Sequence, residues 1–314
     1  MEVISISYPH SHNRDSLPST VASIGFFDGI HKGHQKVIEE AVNVAARSGK
    51  ESAVITFDPH PSVVLRKVSS SVQYITPIQE KKTLIENLGV DRLYIIEFNK
   101  SLSLLSPEDF IEHFIYELHV DHLIAGFDFS FGYKGTGNMD NIEKFARHPL
   151  TTTKIEKFDH DGEKISSTSI RKALIEGNIL KVENLLGRPL TMKAKVIQGD
   201  KRGRTIGYPT ANLQWEEPYL LPKIGVYAVE VKVGSEKYQG MANLGYNPTF
   251  TEGQQEAKME VHLFDVNKDL YGKTLQVIWR QYIREEVKFS GVEELVAQLQ
   301  QDEKDIRQFF SKNA

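Results

Sequence analysis

An open, Rossmann-like parallel α/β sheet, followed by a compact antiparallel barrel or sandwich with a terminal helix, is the fold class these 314 residues predict. Three observations predict it. Short apolar runs alternate with amphipathic stretches between Val21 and Phe127, the pattern of successive βα units. Near Gly187-Arg188-Pro189 the alternation stops, and strand-length runs follow one another with only turn residues between them. The final stretch, Gly291–Phe310, carries apolar residues at helical spacing.

The elements follow in order. Val21–Phe27 is a short apolar strand that ends in Asp28-Gly29. Gly33–Ser48 puts Val37, Ile38, Ala41, Val42 and Ala45 on one helical face, and Gly49 stands where a left-handed C-cap belongs. Ala53–Phe57 is the next strand. Thr76-Pro77-Ile78-Gln79 reads as a helix start, with Thr76 as N-cap, Pro77 in the first helical position and Gln79 in the third. Leu93–Phe98 is a third strand, Ser106-Pro107 opens a helix reaching to about His119, and Leu123–Phe127 is a fourth strand. Such sheets bind ligands at the carboxyl ends of their strands, which points to the turn Gly25–His34. In the second half the strands are Ala194–Gln198, Gly225–Val233, Tyr238–Leu244, Met259–Phe264 and Thr274–Trp279. Val292, Leu295, Val296, Leu299, Ile306 and Phe309 then give an amphipathic helix packed on them. Two domains follow, 1–186 and 187–314.

Composition bounds the function. The chain is 40% hydrophobic and 25% charged, an ordinary globular balance with enough apolar material for two cores. It has no cysteine, which excludes disulfides, thiolate nucleophiles and cysteine zinc sites and fits a reducing cytosol. Residues 1–186 hold 20 Lys and Arg against 25 Asp and Glu, and residues 187–314 hold 18 against 17. Neither half has the basic excess of a typical nucleic-acid binder, although a small anion needs only a local positive site. The N-terminus lacks the apolar core of a signal peptide, and no run of about 18 apolar residues exists. The expectation is a cytoplasmic protein with no membrane span, no nucleic-acid ligand and no obligate protein partner.

Gly25-Phe26-Phe27-Asp28-Gly29-Ile30-His31-Lys32-Gly33-His34 has the layout of a nucleotide-phosphate turn. Gly25, Gly29 and Gly33 let the backbone approach phosphates, and the following helix directs N–H groups at them. His31 and His34 can donate hydrogen bonds to phosphoryl oxygens as charge develops. Read alone, the string is equally a turn with surface histidines. A zinc pair is the weaker reading, with no cysteine and no evident third ligand. Ser166-Ser167-Thr168-Ser169-Ile170-Arg171 opens a helix over Ile170–Glu176 and offers hydroxyls with one guanidinium, a set that suits a triphosphate. By itself it would be only an N-cap beside an exposed arginine.

In the second half, Gly203-Arg204-Thr205-Ile206-Gly207-Tyr208-Pro209-Thr210-Ala211-Asn212 follows Lys201-Arg202. Gly203, Gly207 and Pro209 shape a phosphate-approaching loop. Thr210 and Asn212 offer oxygens to a hard cation such as Mg²⁺. The plain alternative is a hairpin loop leading into a strand. Lys258, Glu260 and His262 alternate with Met259, Val261 and Leu263, so Glu260 points away from the apolar face.

Taken together, these segments resemble the bacterial riboflavin kinase/FAD synthetase family over nearly the whole chain. The family's G-x-F-D-G-x-H-x-G-H and S-S-T-x-I-R elements match Gly25–His34 and Ser166–Arg171. Phe57-Asp58-Pro59-His60-Pro61 and Gly126-Phe127-Asp128-Phe129-Ser130-Phe131-Gly132 match between them. The kinase element G-R-x-x-G-x-P-T-A-N matches Gly203–Asn212 and is the most specific string in the chain. Gly225-Val226-Tyr227, Asn243–Phe250 and Glu260-Val261-His262 follow in the family's order. Asn247 and Ile283-Arg284-Glu285-Glu286 differ from the commoner residues at those points, with Arg284 retained.

The resemblance implies a nucleotidyltransferase domain of Rossmann-like layout and a β-barrel kinase domain. It implies ATP-dependent phosphorylation of riboflavin to FMN, releasing ADP, and adenylylation of FMN to FAD, releasing pyrophosphate. It makes Glu260 the general base for the riboflavin hydroxyl, and His31, His34 and Arg171 the groups that stabilise phosphate charge. Gly25–Asp28, Gly29, Gly33, Ser167, Thr168, Gly203, Arg204, Gly207 and Pro209 become nucleotide contacts. Asp58, Asp128, Asn243 and Arg284 become flavin contacts, and Thr210 and Asn212 ligands of Mg²⁺. Two other readings compete: an FAD synthetase whose barrel only holds flavin, and a non-catalytic nucleotide- or RNA-binding regulator. Thr210, Asn212 and Glu260 favour an active kinase over the first, and the charge balance disfavours the second.

Overall fold

The structure is a computed structural model that describes residues 1–65, 72–157, 159–160, 163–199, 202–246 and 257–313. Asn247-Pro248-Thr249-Phe250 and Lys201 lie outside the described residues. The chain packs as two units, Met1–Ser169 with Pro218–Leu220, and Ile170–Glu217 with Leu221–Ala314.

The first unit runs β1 (Glu2–Ile6), β2 (Thr20–Ile24), α1 (Lys32–Ser48), β3 (Glu51–Asp58), α2 (Pro61–Leu65), α3 (Ile78–Asn87), β4 (Arg92–Glu97), α4 (Pro107–Ile111) and β5 (Val120–Gly126). The short β6 (Ser130–Phe131) and β7 (Gly137–Asn138) follow, then β8 (Thr151–Ile155) and the two-residue β9 (Asp159–His160) and β10 (Glu163–Lys164). Six strands form one wholly parallel sheet in the order β1-β4-β3-β2-β5-β8. Alternate residues of each central strand feed two cores. Val21, Val54 and Leu93 meet Ile38 of α1 and Ile85 of α3 on one face. Ile24, Ile55 and Ile96 meet Phe110 and Phe114 on the other. Burial on both faces is why β2 lacks an amphipathic alternation: all five of its residues are buried, Thr20 and Ser23 included. From β2 the chain steps to β3 and β4 on one side, while β5 and β8 lie on the other. The order therefore reverses between β2 and β5, where such sheets leave a crevice at their carboxyl ends.

The structure corrects several sequence expectations. The Gly25–His34 turn follows the second strand of the chain, because β1 pairs at the sheet edge. Helix α3 is capped by Pro77 rather than Thr76, and no side chain bonds that cap. Thr76 is buried, and its N–H donates to Asp28 Oδ1 at 3.1 Å, so the residue is committed to the turn that follows β2. Ser106 does cap α4, its Oγ accepting the Asp109 N–H at 3.1 Å, but the helix widens into a π-helical turn over Glu112–Tyr116.

Helix α5 (Ser167–Glu176) starts at Ser167, earlier than the expected Ile170, and from Ile170 it belongs with the second unit. That unit continues with α6 (Ile179–Leu186), β11 (Thr191–Ile197), β12 (Ala211–Gln214), β13 (Gly225–Val233), β14 (Glu236–Tyr246), β15 (Ala257–Leu263), β16 (Thr274–Arg284) and α7 (Val292–Lys312). The six strands close into an antiparallel barrel, β11-β12-β15-β14-β13-β16, which settles barrel over sandwich. Tyr227, Leu244, Met259, Val261 and Trp279 are fully buried, with Trp279 edge-on to Tyr227 at 4.9 Å between ring centres. Ile306 and Phe310 of α7 pack on Ala228 and Met241, covering part of the barrel's outer surface.

Candidate active sites

In the first unit the site is built by the sharp turn after β2. Phe27 (φ 52°), Gly29 (φ 93°) and Ile30 (φ 42°) all lie in the left-handed region. For bulky Phe27 and β-branched Ile30 this stores about 1–3 kcal/mol each, and such strain collects at ligand sites. Burial of both side chains beneath α1 offsets it. Asp28, itself buried, is the knot of the turn. Its carboxylate takes the Thr76 N–H, and its carbonyl accepts the Ser167 hydroxyl at 2.8 Å. The two nucleotide-type segments, far apart in sequence, therefore meet at one residue.

His31 caps α1, its Nδ1 accepting the His34 N–H at 3.2 Å, which leaves the ring proton on Nε2. The His31 and His34 rings stack at 3.5 Å, and Phe27 meets His34 edge-on at 5.3 Å. A Cβ at Gly33 would lie 3.2 Å from the His31 ring, so this glycine makes room for the histidine.

A cavity of about 750 Å³ opens at the crevice between β2 and β5. Gly25, Phe26, Phe27, Asp28, His34, Asp128 and Ser167 line it, with an aromatic wall that includes Phe57, Phe98 and Phe129. His31, Gly29, Gly33, Asp58 and Thr168 are not among its lining residues. Asp58 ends β3, and burial, partly countered by Lys81 and Lys82, holds its carboxyl above the usual range. Arg171 lies one turn after Ser167 on α5. Lys100 and Lys134 also line the cavity, and sequence reasoning missed both. It missed Lys81 as well, a lysine only 2% exposed on α3. The signal was present: Ile78, Lys81 and Ile85 share the helical spacing of a core-facing stripe, a position where lysine is out of place.

The second site is a row of side chains across the barrel. Register pairs Asn212 with Glu260, Glu260 with Asn243, Asn243 with Val226, and Val226 with Arg284. Adjacent rows hold inward-facing Leu213, Met259, Leu244 and Tyr227, so the Asn212–Glu260–Asn243 row faces outward, as the alternation around Glu260 predicts. Glu260 Oε2 accepts the Thr210 hydroxyl at 3.1 Å, and Oε1 pairs with Lys258 Nζ at 2.6 Å. Asn212 is buried over Gly199, where any Cβ would overlap its amide. A Cβ at Gly203 would overlap the Tyr208 carbonyl oxygen, and Gly207 holds φ 85°, so both glycines are required by the loop itself.

Two cavities flank this row. One of about 270 Å³ is lined by Thr210, Asn243, Glu260, Arg284 and the α7 residues Leu295 and Leu299. The other, about 80 Å³, is lined by Arg204, Pro209, Thr210 and Lys268. Thr210 lines both. Arg284 reaches the larger cavity, but its guanidinium is already committed: Nε and Nη2 bind Asp302 at 2.8 and 2.6 Å, and Nη1 donates to the Glu285 carbonyl at 2.8 Å. Asn243 Nδ2 donates to Glu286 at 3.2 Å. His262, given no role by sequence reasoning, donates from Nδ1 to the Pro209 carbonyl at 2.7 Å and so holds the loop that carries Thr210. Among the described residues no cluster of three or more His, Asp or Glu is arranged to hold a metal. The hydroxyl and amide oxygens of Thr210 and Asn212, two residues apart at the start of β12, are the hard donors that Mg²⁺ accepts alongside phosphates and water.

A family model described as FAD synthetase matches residues 13–169, and one described as riboflavin kinase matches 186–310. A bifunctional riboflavin kinase/FMN adenylyltransferase of Listeria monocytogenes is 45% identical over 312 residues, covering 99% of both chains. Its Bacillus subtilis counterpart is 42% identical with the same coverage, and that of Escherichia coli K12 is 35% identical over 95% of this chain and 96% of its own. A crystal structure described as a macrolide-efflux protein from Streptococcus pneumoniae matches with a TM-score of 0.86 at 34% identity, covering 97% of this chain and 99% of that one.

Proposed function

Because the chain belongs to the bifunctional riboflavin kinase/FMN adenylyltransferase family, we propose that it phosphorylates riboflavin to FMN in its second half and adenylylates FMN to FAD in its first, using ATP for both. The functional division is 1–186 and 187–314, with residues 170–186 packing on the kinase side. The observation that carries the reading is Thr210. Its hydroxyl is bonded to Glu260, and it lines two cavities, as a residue between a phosphoryl donor and its acceptor should.

In the kinase half, riboflavin enters the larger cavity and the ATP phosphates lie along Gly203–Pro209. The riboflavin 5′-hydroxyl attacks the γ-phosphorus, ADP leaves, and Glu260 takes the hydroxyl proton. Lys258 and Thr210 hold the two Glu260 oxygens, so the base is oriented before substrate arrives. Thr210 and Asn212 would hold Mg²⁺, which would neutralise charge on the phosphates. Asn243 contacts the flavin. Arg284 borders it while fixing α7 over the cavity.

In the transferase half, an FMN phosphate oxygen attacks the α-phosphorus of ATP and pyrophosphate leaves. The nucleophile is already anionic, so no protein base is required and catalysis rests on charge stabilisation. His34 faces the cavity, and His31 positions it through the ring stack and the helix cap. Ser167, Thr168 and Arg171 complete the phosphate contacts, Asp58 and Asp128 the flavin side.

Among the described residues no helix is long and apolar enough to cross a membrane. The reading takes riboflavin, FMN, FAD and ATP as partners, in a cytoplasmic protein. Chromatography of products tests the reading. Purified protein given ATP and Mg²⁺ should convert riboflavin to FMN and FAD, and FMN to FAD. Failure with both substrates would remove the enzymatic reading, and failure with riboflavin alone would leave an adenylyltransferase with a silent barrel.

A further inference from the structure

Behind the strained turn of the first unit sits Lys81. Its Nζ donates to the Phe26 carbonyl at 2.7 Å and lies 3.5 Å from Thr56 Oγ1 and 4.4 Å over the Phe26 ring. The Thr56 hydroxyl donates to the same carbonyl at 3.0 Å. The carbonyl is thus held inward by two donors from two different elements, α3 and β3. In a planar trans peptide the N–H points opposite to the C=O, so the Phe27 N–H is turned away from Lys81. We propose that Lys81 is a positioning residue for adenylyl transfer, which locks the Phe26–Phe27 peptide so that the Phe27 N–H faces the nucleotide phosphates. This rests on the reading of the first half as an FMN adenylyltransferase.

The surroundings explain why a charge is kept in so dry a place. The charged groups that face Lys81 are Asp28 of the turn and Asp58 at the end of β3. His60 and Tyr74 pack against the Phe26 ring. Burial lowers the Lys81 ammonium to about 8 against the pull of the two carboxylates. Below that pH the ammonium grips the Phe26 carbonyl and neutralises Asp28 and Asp58. Above it the grip weakens and Asp28 and Asp58 lose the charge of the ammonium.

The test measures FAD formation from FMN across pH for wild type, Lys81→Gln and Lys81→Met, with riboflavin phosphorylation followed on the same samples. Wild-type kcat should fall about tenfold per pH unit above about 8. Lys81→Gln should lose about 10–100-fold in kcat near neutrality, keep KM for FMN within about threefold, and show no such fall. Lys81→Met, which cannot donate to the carbonyl, should lose more. Riboflavin phosphorylation should be unchanged in both. A Gln variant with wild-type kcat, or one that retains the alkaline fall, overturns the proposal. So does a wild-type kcat that stays flat to about pH 9.5, a result that needs no variant to fold. Wild-type protein that makes no FAD at neutral pH overturns the adenylyltransferase reading and this inference with it.

Discussion

Replacing Asp302 with alanine should open the kinase half without touching the transferase half. Asp302 is 1% exposed on α7, and its carboxylate binds Arg284 through two nitrogens and Gln298 Nε2 at 2.8 Å. Removing one partner of a buried ion pair costs about 3–5 kcal/mol, mostly because the other charge is left without a counter-ion. The Arg284 side chain keeps 20% of its surface exposed, so water recovers part of the loss and about 3 kcal/mol is the expected cost. For a domain of this size that lowers the unfolding midpoint by about 10 °C. Both residues border the larger cavity with Leu295 and Leu299, so loosening α7 should raise KM for riboflavin several-fold while FAD synthesis from FMN is unaffected. Scanning calorimetry and steady-state kinetics with each flavin read the two effects. An Asp302→Ala protein with an unchanged midpoint and an unchanged riboflavin KM would refute the idea that this pair holds α7 over the site.

Three other outcomes are expected. Glu260→Gln keeps the Thr210 contact but cannot accept a proton, so phosphorylation should fall by about 10²–10⁴ while FAD formation from FMN persists, as product analysis with each flavin will read. Gly199→Ala drives a Cβ into the Asn212 amide and should raise the Mg²⁺ concentration for half-maximal phosphorylation several-fold, read from a metal titration. Burial pushes the Asp121 carboxyl upward, but hydrogen bonds from Lys50, Ser19 and Arg14 outweigh it and hold it far below the usual range. That stability is complete above the unfolded value of about 4 and is lost as pH falls below it toward the folded value. Asp121→Asn should therefore flatten the acid limb of urea stability curves taken between about pH 5 and 2.

Much of the molecule was legible in the sequence because one local rule sufficed. Gly49 at φ 65° after α1, the Ser106 cap, the helix α7 and the outward Glu260 each follow from spacing and one residue type, although the α7 stripe has Val292 exposed and buries Phe310 and Asp302 where the spacing points to Phe309. The misses share a different cause. β8 reads Thr-Thr-Thr-Lys-Ile, buries none of its residues and is a strand only through its pairing with β5. β12 is missing from the expected strands and foreseen only as the strand a hairpin loop leads into, because one of its partners, β15, lies far away in sequence. Thr76 had every local mark of an N-cap, yet a buried carboxylate from another segment claimed its N–H. Asp302, on a helix that only tertiary packing brings near, holds the Arg284 guanidinium, a pairing no local signal announces. Lys81 broke the apolar stripe of its own helix, a local inconsistency of the kind that functional sites tend to leave.

The central claim is two different bond cleavages of ATP in one chain, and the fate of a label tests it most directly. With riboflavin and ATP labelled at the γ-phosphate, the account predicts label in FMN and carried on into FAD. With FMN and ATP labelled at the α-phosphate, it predicts label in FAD and unlabelled pyrophosphate. γ-Label found only as free phosphate, or α-label that never enters a flavin, would contradict it.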